Sequence, residues 1–520
     1  MNASFMESLK STLNEDFNVS ITENGAVGYR TTGKNLLDLN FAISSLRGKS
    51  AKEISDRFAK AFYDDKVLAV KWLFYAGDVR EGVGERNLFR VCMEWLANNY
   101  PEIAKAVVSL IPEYTRWDNL LILLDTNLKD TVVEVITNQL TEDMDNYKDK
   151  KSISLCAKWM PSINTSSKKT VRYAKTLIKS LHINEASYRK MLSKLRAYID
   201  VTEVKMSAKE WDKIDYSKVP SRANLIYNDA FLRNDEDRRR AYLGALEKGE
   251  TNINSSVLFP HDILHKYLAP SGYYCARRNL KAYDTALEQM WKALPNYVKE
   301  DSKTLCVVDG SGSMEDTVRG TKVSCLTVAN ALGLYFAERC SGPYKDTFIT
   351  FSANPQLVNF NGLSSLRDKA AKALHYSECS NTNIEKTFDL ILQTAVNNNL
   401  KQEDLPHNVL ILSDMEFDSA TGYGWHSTPK ADARLFRIIA DKFAQHGYKM
   451  PRLVFWNLNS RTGTIPVKEN EMGVALVSGF SPAVVKMVLS GKLDPYECLL
   501  EQINSERYNK VEEALKAVKM

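Results

Sequence analysis

The spacing of apolar residues changes at about residue 300. Before that point, apolar side chains recur three or four residues apart, as at Ile54, Phe58 and Phe62, and short polar connections separate the runs. This spacing predicts amphipathic helices, because residues three and four apart share a helical face. Many such helices in series, without strands between them, predict paired helices that stack as a solenoid or a ring.

Beyond residue 300, apolar runs of strand length alternate with helical patterns. Strands that are apolar almost throughout and separated by helices are typical of a parallel sheet covered on both faces. The predicted strands are Thr304–Val308, Thr347–Phe351, Val409–Leu412, Leu453–Trp456 and Val474–Val477, and the predicted helices lie near Lys322–Arg339, Ile384–Val396, Ala431–Gln445 and Pro482–Leu489.

These patterns predict an α plus α/β protein. We expect an all-α, HEAT-like helical-repeat domain in residues 1–300, a Rossmann-like α/β domain in residues 301–495 and a helical tail in residues 496–520. A chain of 520 residues is long enough for two or three domains.

The composition narrows the class of protein. Hydrophobic residues make up 44% of the chain and charged residues 26%, which is typical of a folded, soluble protein. No stretch approaches 18 uncharged apolar residues, so we expect no transmembrane helix. The first ten residues lack the apolar core of a signal peptide. The eight cysteines have no paired spacing, so we expect reduced thiols and a cytoplasmic location.

Positive charge is concentrated in one stretch. The net charge is only +5, but Lys148–Arg196 holds 13 basic residues and two acidic ones. A local excess of this size fits a phosphate-binding surface. Part of it recurs every three or four residues and therefore lies along one face of a predicted helix, although a solvated helix face would show the same pattern. These residues are Lys168, Arg172, Lys175 and Lys179.

A possible metal site follows the first predicted strand of the α/β region. The strand ends in Asp309-Gly-Ser311-Gly-Ser313, which places one carboxylate and two hydroxyls on a tight loop. Hard oxygen ligands of this kind suit a small divalent cation such as Mg²⁺. The loop also lies where open α/β sheets bind ligands, outside the carboxyl end of a strand. A simple Gly- and Ser-rich turn is the alternative interpretation.

Two later loops carry further oxygen ligands, which a divalent cation requires. Thr382 precedes the helix predicted at Ile384–Val396, where Thr is also a common N-cap. Asp414 ends another predicted strand and could equally be a turn residue or an N-cap. Glu416 and Asp418 come next, either as extra ligands or as a solvated acidic loop.

The order and context of these positions resemble the metal-ion-dependent adhesion site of the von Willebrand factor A domain. The resemblance covers roughly residues 300–495, with Asn381 where the family often has Gly. It implies that the two serines ligate a cation directly, that the Asp and Thr side chains act directly or through water, and that one position stays open for a partner's carboxylate or another anionic oxygen. Mg²⁺, Mn²⁺ and Ca²⁺ are all compatible with these ligands. The implied ligands are Asp309, Ser311, Ser313, Thr382 and Asp414.

Two motifs extend the resemblance to the helical half. They are Gly77-Asp-Val-Arg80-Glu-Gly82-Val-Gly84-Glu-Arg86 and Lys158-Trp159-Met-Pro161. They resemble the Ro ribonucleoprotein family, in which a TROVE ring of helical repeats is joined to a von Willebrand A domain. Together with Ser413-Asp414-Met415 in the α/β half, they are still more similar to an uncharacterised group of plant, viral and phage proteins with that layout. The glycine-rich run lacks the Lys-Ser/Thr of a P-loop, so its arginines are expected either to cap helices or to lie exposed for contact.

The Ro resemblance implies binding of structured RNAs and RNA ends through a basic surface. The alternative is a scaffold whose metal site captures an acidic protein partner. We expect no enzyme, because the sequence offers no phosphate-cradling loop or nucleophile–His pair, and we expect no small-molecule substrate and no membrane contact. The residues implied to face RNA are Lys168, Lys169, Arg172, Lys175, Lys179, Arg189, Lys190, Lys194 and Arg196.

Overall fold

The chain folds into two compact units, each built from two separate stretches of sequence. Unit 1 consists of Met1–Asp64 and Leu258–Ile503, and unit 2 of Asp65–Val257 and Asn504–Met520. The predicted domain boundaries near residues 300 and 495 follow the change in sequence pattern and stay predictions. The computed structural model describes residues 18–22, 27–268, 280–298, 302–352, 354–377, 384–416, 435–466, 474–484, 487 and 494–518.

Helices dominate the N-terminal half, as the apolar spacing predicts. They follow a short antiparallel pair of strands, β1 (Val19–Ile21) and β2 (Val27–Tyr29), which the sequence pattern does not predict. The helices of unit 1 in this half are α1 (Asn35–Phe41) and α2 (Ala51–Asp64). Those of unit 2 are α3 (Lys66–Gly77), α4 (Arg86–Asn99), α5 (Pro101–Val107), α6 (Ile111–Tyr114), α7 (Lys129–Lys148), α8 (Cys156–Trp159), α9 (Lys168–Ser180), α10 (Glu185–Tyr198), α11 (Thr202–Ser207), α12 (Ser221–Asn234) and α13 (Glu236–Glu247).

The C-terminal half alternates strands and helices, which confirms the predicted α/β class. Its strands are β3 (Thr304–Asp309), β4 (Thr347–Phe351), β5 (Leu357–Asn359), β6 (Asn408–Ser413), β7 (Arg452–Asn457) and β8 (Val474–Ser478). Its helices are α14 (Pro260–Tyr267), α15 (Thr285–Lys292), α16 (Cys325–Arg339), α17 (Leu366–His375), α18 (Ile384–Asn397), α19 (Leu435–Gln445), α20 (Pro495–Ile503) and, in unit 2, α21 (Asn509–Lys516). The helix predicted at Pro482–Leu489 begins as a 3₁₀ turn over Pro482–Val484, and part of it lies outside the described residues.

Six strands form one sheet in the order β5-β4-β3-β6-β7-β8. All neighbours pair in parallel except β5, which runs antiparallel to β4 at the edge. The sheet is therefore mixed, whereas the sequence predicts a parallel one. Because β3 and β6 are parallel and adjacent, with Val308 opposite Leu412, the loops that follow them emerge side by side at the carboxyl edge.

Helix α16 packs against the centre of this sheet at Gly333. A Cβ atom on that glycine would lie only 2.6 Å from Cγ2 of Val308. The missing side chain therefore allows the helix to approach β3 closely. This contact buries the strand that leads into the candidate metal loop.

The core of unit 2 includes helix α3, which is buried on nearly every side. Asp65 caps its start, where the carboxylate accepts a hydrogen bond from the Leu68 amide at 2.8 Å. Its residues from Ala69 to Gly77 are buried, which is typical of a helix that is apolar all round. Helix α21 packs on α3 and α5, so the last described helix completes this core. None of the described helices in either unit has the length and apolarity needed to cross a membrane.

Candidate metal centre and nucleic-acid interface

Asp309 is fixed at the carboxyl edge of the sheet by two hydrogen bonds. It is the last residue of β3 and is 1% exposed. Its Oδ1 accepts from the Ser311 amide at 2.9 Å, and its Oδ2 accepts from the Ser413 hydroxyl at 2.5 Å. The carboxylate is therefore oriented before any ligand arrives, as a preorganised site requires.

The two serines of the loop lie beside this carboxylate. Gly312–Glu315 forms one 3₁₀ turn, and this turn brings the Ser311 and Ser313 hydroxyls within 3.2 Å of each other. Ser311 is buried, and Ser313 is partly buried. Their oxygens and the Asp309 carboxylate thus form one polar cluster, as the spacing of the motif predicts.

Asp414 adds a second buried carboxylate directly after β6. It is 2% exposed, and its Oδ1 accepts from the Glu416 amide at 3.3 Å. Burial, together with the charge of Asp414, raises the pKa of Asp309 to about 7. Burial likewise raises the pKa of Asp414. Two carboxylates that resist ionisation together are a setting in which a bound divalent cation would supply the missing counter-charge.

Arg461 places a positively charged guanidinium next to this cluster. Its Nη1 lies 2.6 Å from the Asp316 carboxylate, and its Nη2 lies 3.4 Å from Oδ2 of Asp414. The Arg461 side chain is 24% exposed. The sequence gives no sign of this neighbour, because 47 residues separate Arg461 from Asp414.

Glu416 belongs to the supporting structure. The sequence leaves it as an extra ligand or part of a solvated loop, but it is 2% exposed. Its Oε1 accepts from the amides of Arg461 at 2.7 Å and Thr462 at 3.0 Å. Glu416 therefore holds the loop that carries Arg461.

The remaining predicted ligand, Thr382, lies outside the described residues, as do Asn381 and Asp418. Within the described ranges, no three His, Cys, Asp or Glu side chains are grouped so that they could hold a metal ion. A cation bound by Asp309 and Asp414 would therefore also need hydroxyl and water oxygens, which Mg²⁺ accepts readily.

Most of the predicted RNA-facing residues lie on the surface of α9 and α10. Tyr173, Ala174, Leu177 and Ile178 turn inward from α9, and this leaves its charged residues outside. The exposed basic residues are Lys168, Lys169, Arg172, Lys175, Lys179, Arg189, Lys190 and Lys194.

Arg196 differs from the other eight. Its guanidinium donates to the backbone carbonyls of Ala157 at 2.9 Å and Met160 at 2.8 Å, and to the Ser162 hydroxyl at 3.2 Å. Burial lowers the pKa of Arg196. This arginine ties α10 to α8 and to the segment that follows it, so we remove it from the RNA-facing set.

Four of the exposed residues line a single open groove of about 580 Å³. Thr165, Ser166, Val171 and Thr176 complete its lining. We call this feature the basic groove, and its charged residues are Lys168, Arg172, Lys175 and Lys179. They are the four that the sequence places on one helix face.

Asp125 neutralises part of the charge of α9. Its Oδ1 lies 2.5 Å from the Arg172 guanidinium, and its Oδ2 lies 3.3 Å from the Lys169 ammonium. Both cations stay more than 60% exposed. Exposed pairs of this kind contribute little free energy, so either cation can exchange its partner for a phosphate.

The glycine-rich motif of the helical half is a structural turn. A Cβ atom on Gly82 would lie 2.0 Å from the Tyr75 carbonyl oxygen, so only glycine fits there. Arg80 donates to the Glu113 carbonyl at 3.0 Å. Asp78, which is fully buried, accepts from Nε of Arg507 at 2.8 Å. Asp78 thus joins the turn to the C-terminal segment, a role that the local sequence does not reveal.

Comparisons with known proteins establish the family. Residues 22–114 and 126–304 match the family described as Domain of unknown function (DUF2828), and residues 303–520 match Domain of unknown function (DUF7788). An uncharacterized protein of Acanthamoeba polyphaga mimivirus is 30% identical over 95% of this chain and 89% of its own length. The chain therefore belongs to the DUF2828 family.

A solved structure is similar at much lower identity. The Ro (RSR) protein of Deinococcus radiodurans matches with 14% identity over 85% of this chain and 92% of that one, at a TM-score of 0.41.

Proposed function

We propose that this protein binds RNA through the exposed lysines and arginines of α9 and α10. The observation that carries the proposal is the basic groove, in which Lys168, Arg172, Lys175 and Lys179 share one depression. In the described part of the chain, Lys168, Lys175 and Lys179 have no ion-pair partner. Clustered cations without local counter-charges favour a polyanion, because binding releases its condensed counterions.

The uncharged residues that line the basic groove are also suited to contacts with RNA. Thr165, Ser166 and Thr176 offer hydroxyls that can donate to phosphate or sugar oxygens. Such contacts position a strand without reading its bases. We therefore expect binding that depends on charge and shape more than on sequence.

The test is the salt dependence of RNA binding. Fluorescence anisotropy with a labelled single-stranded RNA, from 50 to about 300 mM salt, gives the slope of log K against log salt. For a variant with K168Q, K175Q and K179Q, we expect weaker binding and a slope shallower by about 0.7 for each phosphate that the variant no longer neutralises.

A matched control variant carries K213Q, K218Q and K516Q. These lysines are also exposed and lie in unit 2, but each has its own carboxylate partner three or four residues away. The control should bind RNA nearly as the parent does. No RNA binding by the parent, or equal weakening in the two variants, would refute the RNA proposal.

We further propose a divalent cation, Mg²⁺ first among the candidates, at the carboxyl edge of the sheet in unit 1. Asp309, Asp414, Ser311 and Ser313 would hold it, and Thr382 is proposed as a further ligand. The buried carboxylate pair and the touching hydroxyls support this assignment. The second candidate function is the capture of a carboxylate from an acidic protein partner, which would complete the coordination shell of this cation. Neither proposal includes a catalytic step.

Isothermal calorimetry with Mg²⁺, Mn²⁺ and Ca²⁺ tests the cation site. A cation at 100 times its Kd should also stabilise the folded state by about 2.7 kcal/mol. D309N should abolish both effects. D368N, which changes an exposed carboxylate of the same unit, should change neither. Equal cation binding by D309N and the parent would remove Asp309 from the site.

A further inference from the structure

Three arginines of unit 2 converge on one carboxylate oxygen. The Nη2 atoms of Arg90 and Arg116 lie 3.0 and 2.8 Å from Oδ2 of Asp118. Arg86 donates to the same oxygen through its own Nη2. We call Arg86, Arg90 and Arg116 the arginine cluster.

Local structure explains how the cluster forms. Arg86 and Arg90 are four residues apart and therefore project from the same face of α4. Arg116 precedes the 3₁₀ segment Trp117–Asp125, and its guanidinium stacks 4.1 Å from the ring centroid of Trp159. The ammonium of Lys158 lies 5.9 Å from that same centroid and adds a fourth cation to the neighbourhood.

The charges of the cluster do not balance. One carboxylate faces three guanidiniums, which leaves an excess of two positive charges within a few ångströms. Burial lowers the pKa of Arg86 and of Arg90, and the neighbouring guanidiniums lower both further. Arginine nevertheless stays charged in proteins, so the excess persists and would be relieved by an anion.

The cluster can still receive such an anion. The Arg86 side chain is 47% exposed and that of Arg116 is 31% exposed. Each guanidinium has five N–H donors, and the forked geometry matches phosphate oxygens. Within the described residues, the hydrogen bond to Asp118 is the only one that the Arg86 guanidinium makes, which leaves its other N–H donors available.

We propose that the arginine cluster binds a phosphate group of the RNA strand held by the basic groove. This inference rests on the proposed RNA function and extends the binding surface beyond α9. Asp118 and Asp125 lie at opposite ends of the segment Trp117–Asp125, and Asp125 contacts Lys169 and Arg172. At roughly 2.0 Å of rise per residue of 3₁₀ helix, Asp118 and Asp125 are separated by about 14 Å along the helix axis. That distance spans about four stacked nucleotides at 3.4 Å each.

The first experiment uses inorganic pyrophosphate as the probe, titrated calorimetrically into the full chain. The parent should bind it, and R86Q should bind it about tenfold more weakly, because the variant cannot form one of the charge-assisted hydrogen bonds. R240Q is the matched control: it removes an exposed arginine of unit 2 that forms an ion pair with Glu236 on its own helix. R240Q should bind pyrophosphate as the parent does.

A second variant, D118N, should bind pyrophosphate more tightly than the parent, whereas R86Q should bind it more weakly. D118N removes the negative charge that opposes an incoming anion, so pyrophosphate should raise its unfolding temperature more than that of the parent. An equal or smaller rise would contradict the proposal. This measurement remains informative if D118N is less stable than the parent, because it compares each protein with and without the ligand.

The same variants separate this inference from the RNA proposal. In RNA titrations, R86Q should make the salt slope shallower by about 0.7. If the parent binds no pyrophosphate and R86Q keeps the parental salt slope, the cluster is structural only, and the groove variant still decides RNA binding. If pyrophosphate binding depends on Arg86 but RNA does not bind at all, the cluster is a phosphate site and its assignment to an RNA strand is wrong.

Discussion

Asp78 offers a direct test of how unit 2 holds its C-terminal segment. It is fully buried, and it accepts from Nε of Arg507 at 2.8 Å and from Nη2 at 3.2 Å. It also accepts from the Tyr508 hydroxyl at 3.3 Å and from the Arg80 amide at 3.0 Å. The hydrogen bonds from Arg507 to Asp78 raise the pKa of the Arg507 guanidinium. The perturbation is D78N, which keeps the shape and removes the charge.

The loss of stability expected for D78N follows from the burial of the Asp78 carboxylate. Breaking a buried ion pair by removing one partner costs about 3–5 kcal/mol, because the remaining charge stays desolvated. Arg507 is 21% exposed, so water can reach it, and we expect a value near the lower end, about 3 kcal/mol. The destabilisation should fall first on the packing of α21 against its neighbours α3 and α5.

Hydrogen–deuterium exchange of residues 504–516 measures this packing locally. A destabilisation of about 3 kcal/mol should speed exchange there by roughly a hundredfold. The control is E113Q, which removes the pair between Glu113 and Lys510 at 2.8 Å. That pair is exposed and joins the same segment, so its removal should cost only about 0–1 kcal/mol. If D78N accelerates exchange no more than E113Q, the buried pair does not anchor the segment.

Three further substitutions have defined outcomes. R239A removes a fully buried guanidinium that packs against three aromatic rings. It should lower the free energy of unfolding by about 3–5 kcal/mol in denaturant titrations, and a decrease below about 1 kcal/mol would contradict this. R461Q should tighten divalent cation binding about tenfold in calorimetry, because it removes a positive charge 3.4 Å from Asp414; weaker binding would mean that Arg461 supports the site. E288Q removes the negative charge of a carboxylate that accepts a hydrogen bond from the Leu366 amide at 2.7 Å, at the start of α17. It should lower the free energy of unfolding by about 1.5–3 kcal/mol in thermal unfolding. An unchanged midpoint would show that the charge is dispensable.

The sequence predicts the parallel strands of the sheet well and the antiparallel edge strand β5 not at all. Thr347–Phe351 is observed with the predicted bounds, because an apolar run between polar residues marks a strand buried on both faces. The edge strand Leu357–Asn359 has three residues, and Leu357 is 60% exposed. A segment so short and so exposed has no periodicity that separates it from a loop.

Candidate site residues are predictable where one local pattern contains them. Asp309, Ser311 and Ser313 lie on one loop, and the sheet then places Asp414 beside them. Arg461 comes from a distant loop and becomes visible only in the fold. Lys168 is likewise predictable, because the spacing of apolar residues within α9 is enough to place it on the exposed face of that helix.

Contacts between distant segments explain what sequence reasoning missed or misplaced. Arg196 resembles its basic neighbours in sequence, yet backbone carbonyls from another segment hold its guanidinium. The arginine cluster is likewise assembled from α4 and the segment after α6, and Arg116 is 26 or more residues away in sequence from Arg90 and Arg86. Side-chain type and spacing cannot reveal such acceptors.

The interleaved order of the two units has a consequence for biosynthesis. Residues 65–257 leave the ribosome long before α21, and the whole stretch from Leu258 to Ile503 is made in between. At ordinary elongation rates of about 5–20 residues per second, that interval lasts roughly ten to fifty seconds. Throughout it, the faces of α3 and α5 that α21 later covers remain exposed on the nascent chain. We therefore expect unit 2 to depend on chaperone protection during translation, and translation that stops before residue 504 to yield an unfinished, aggregation-prone core.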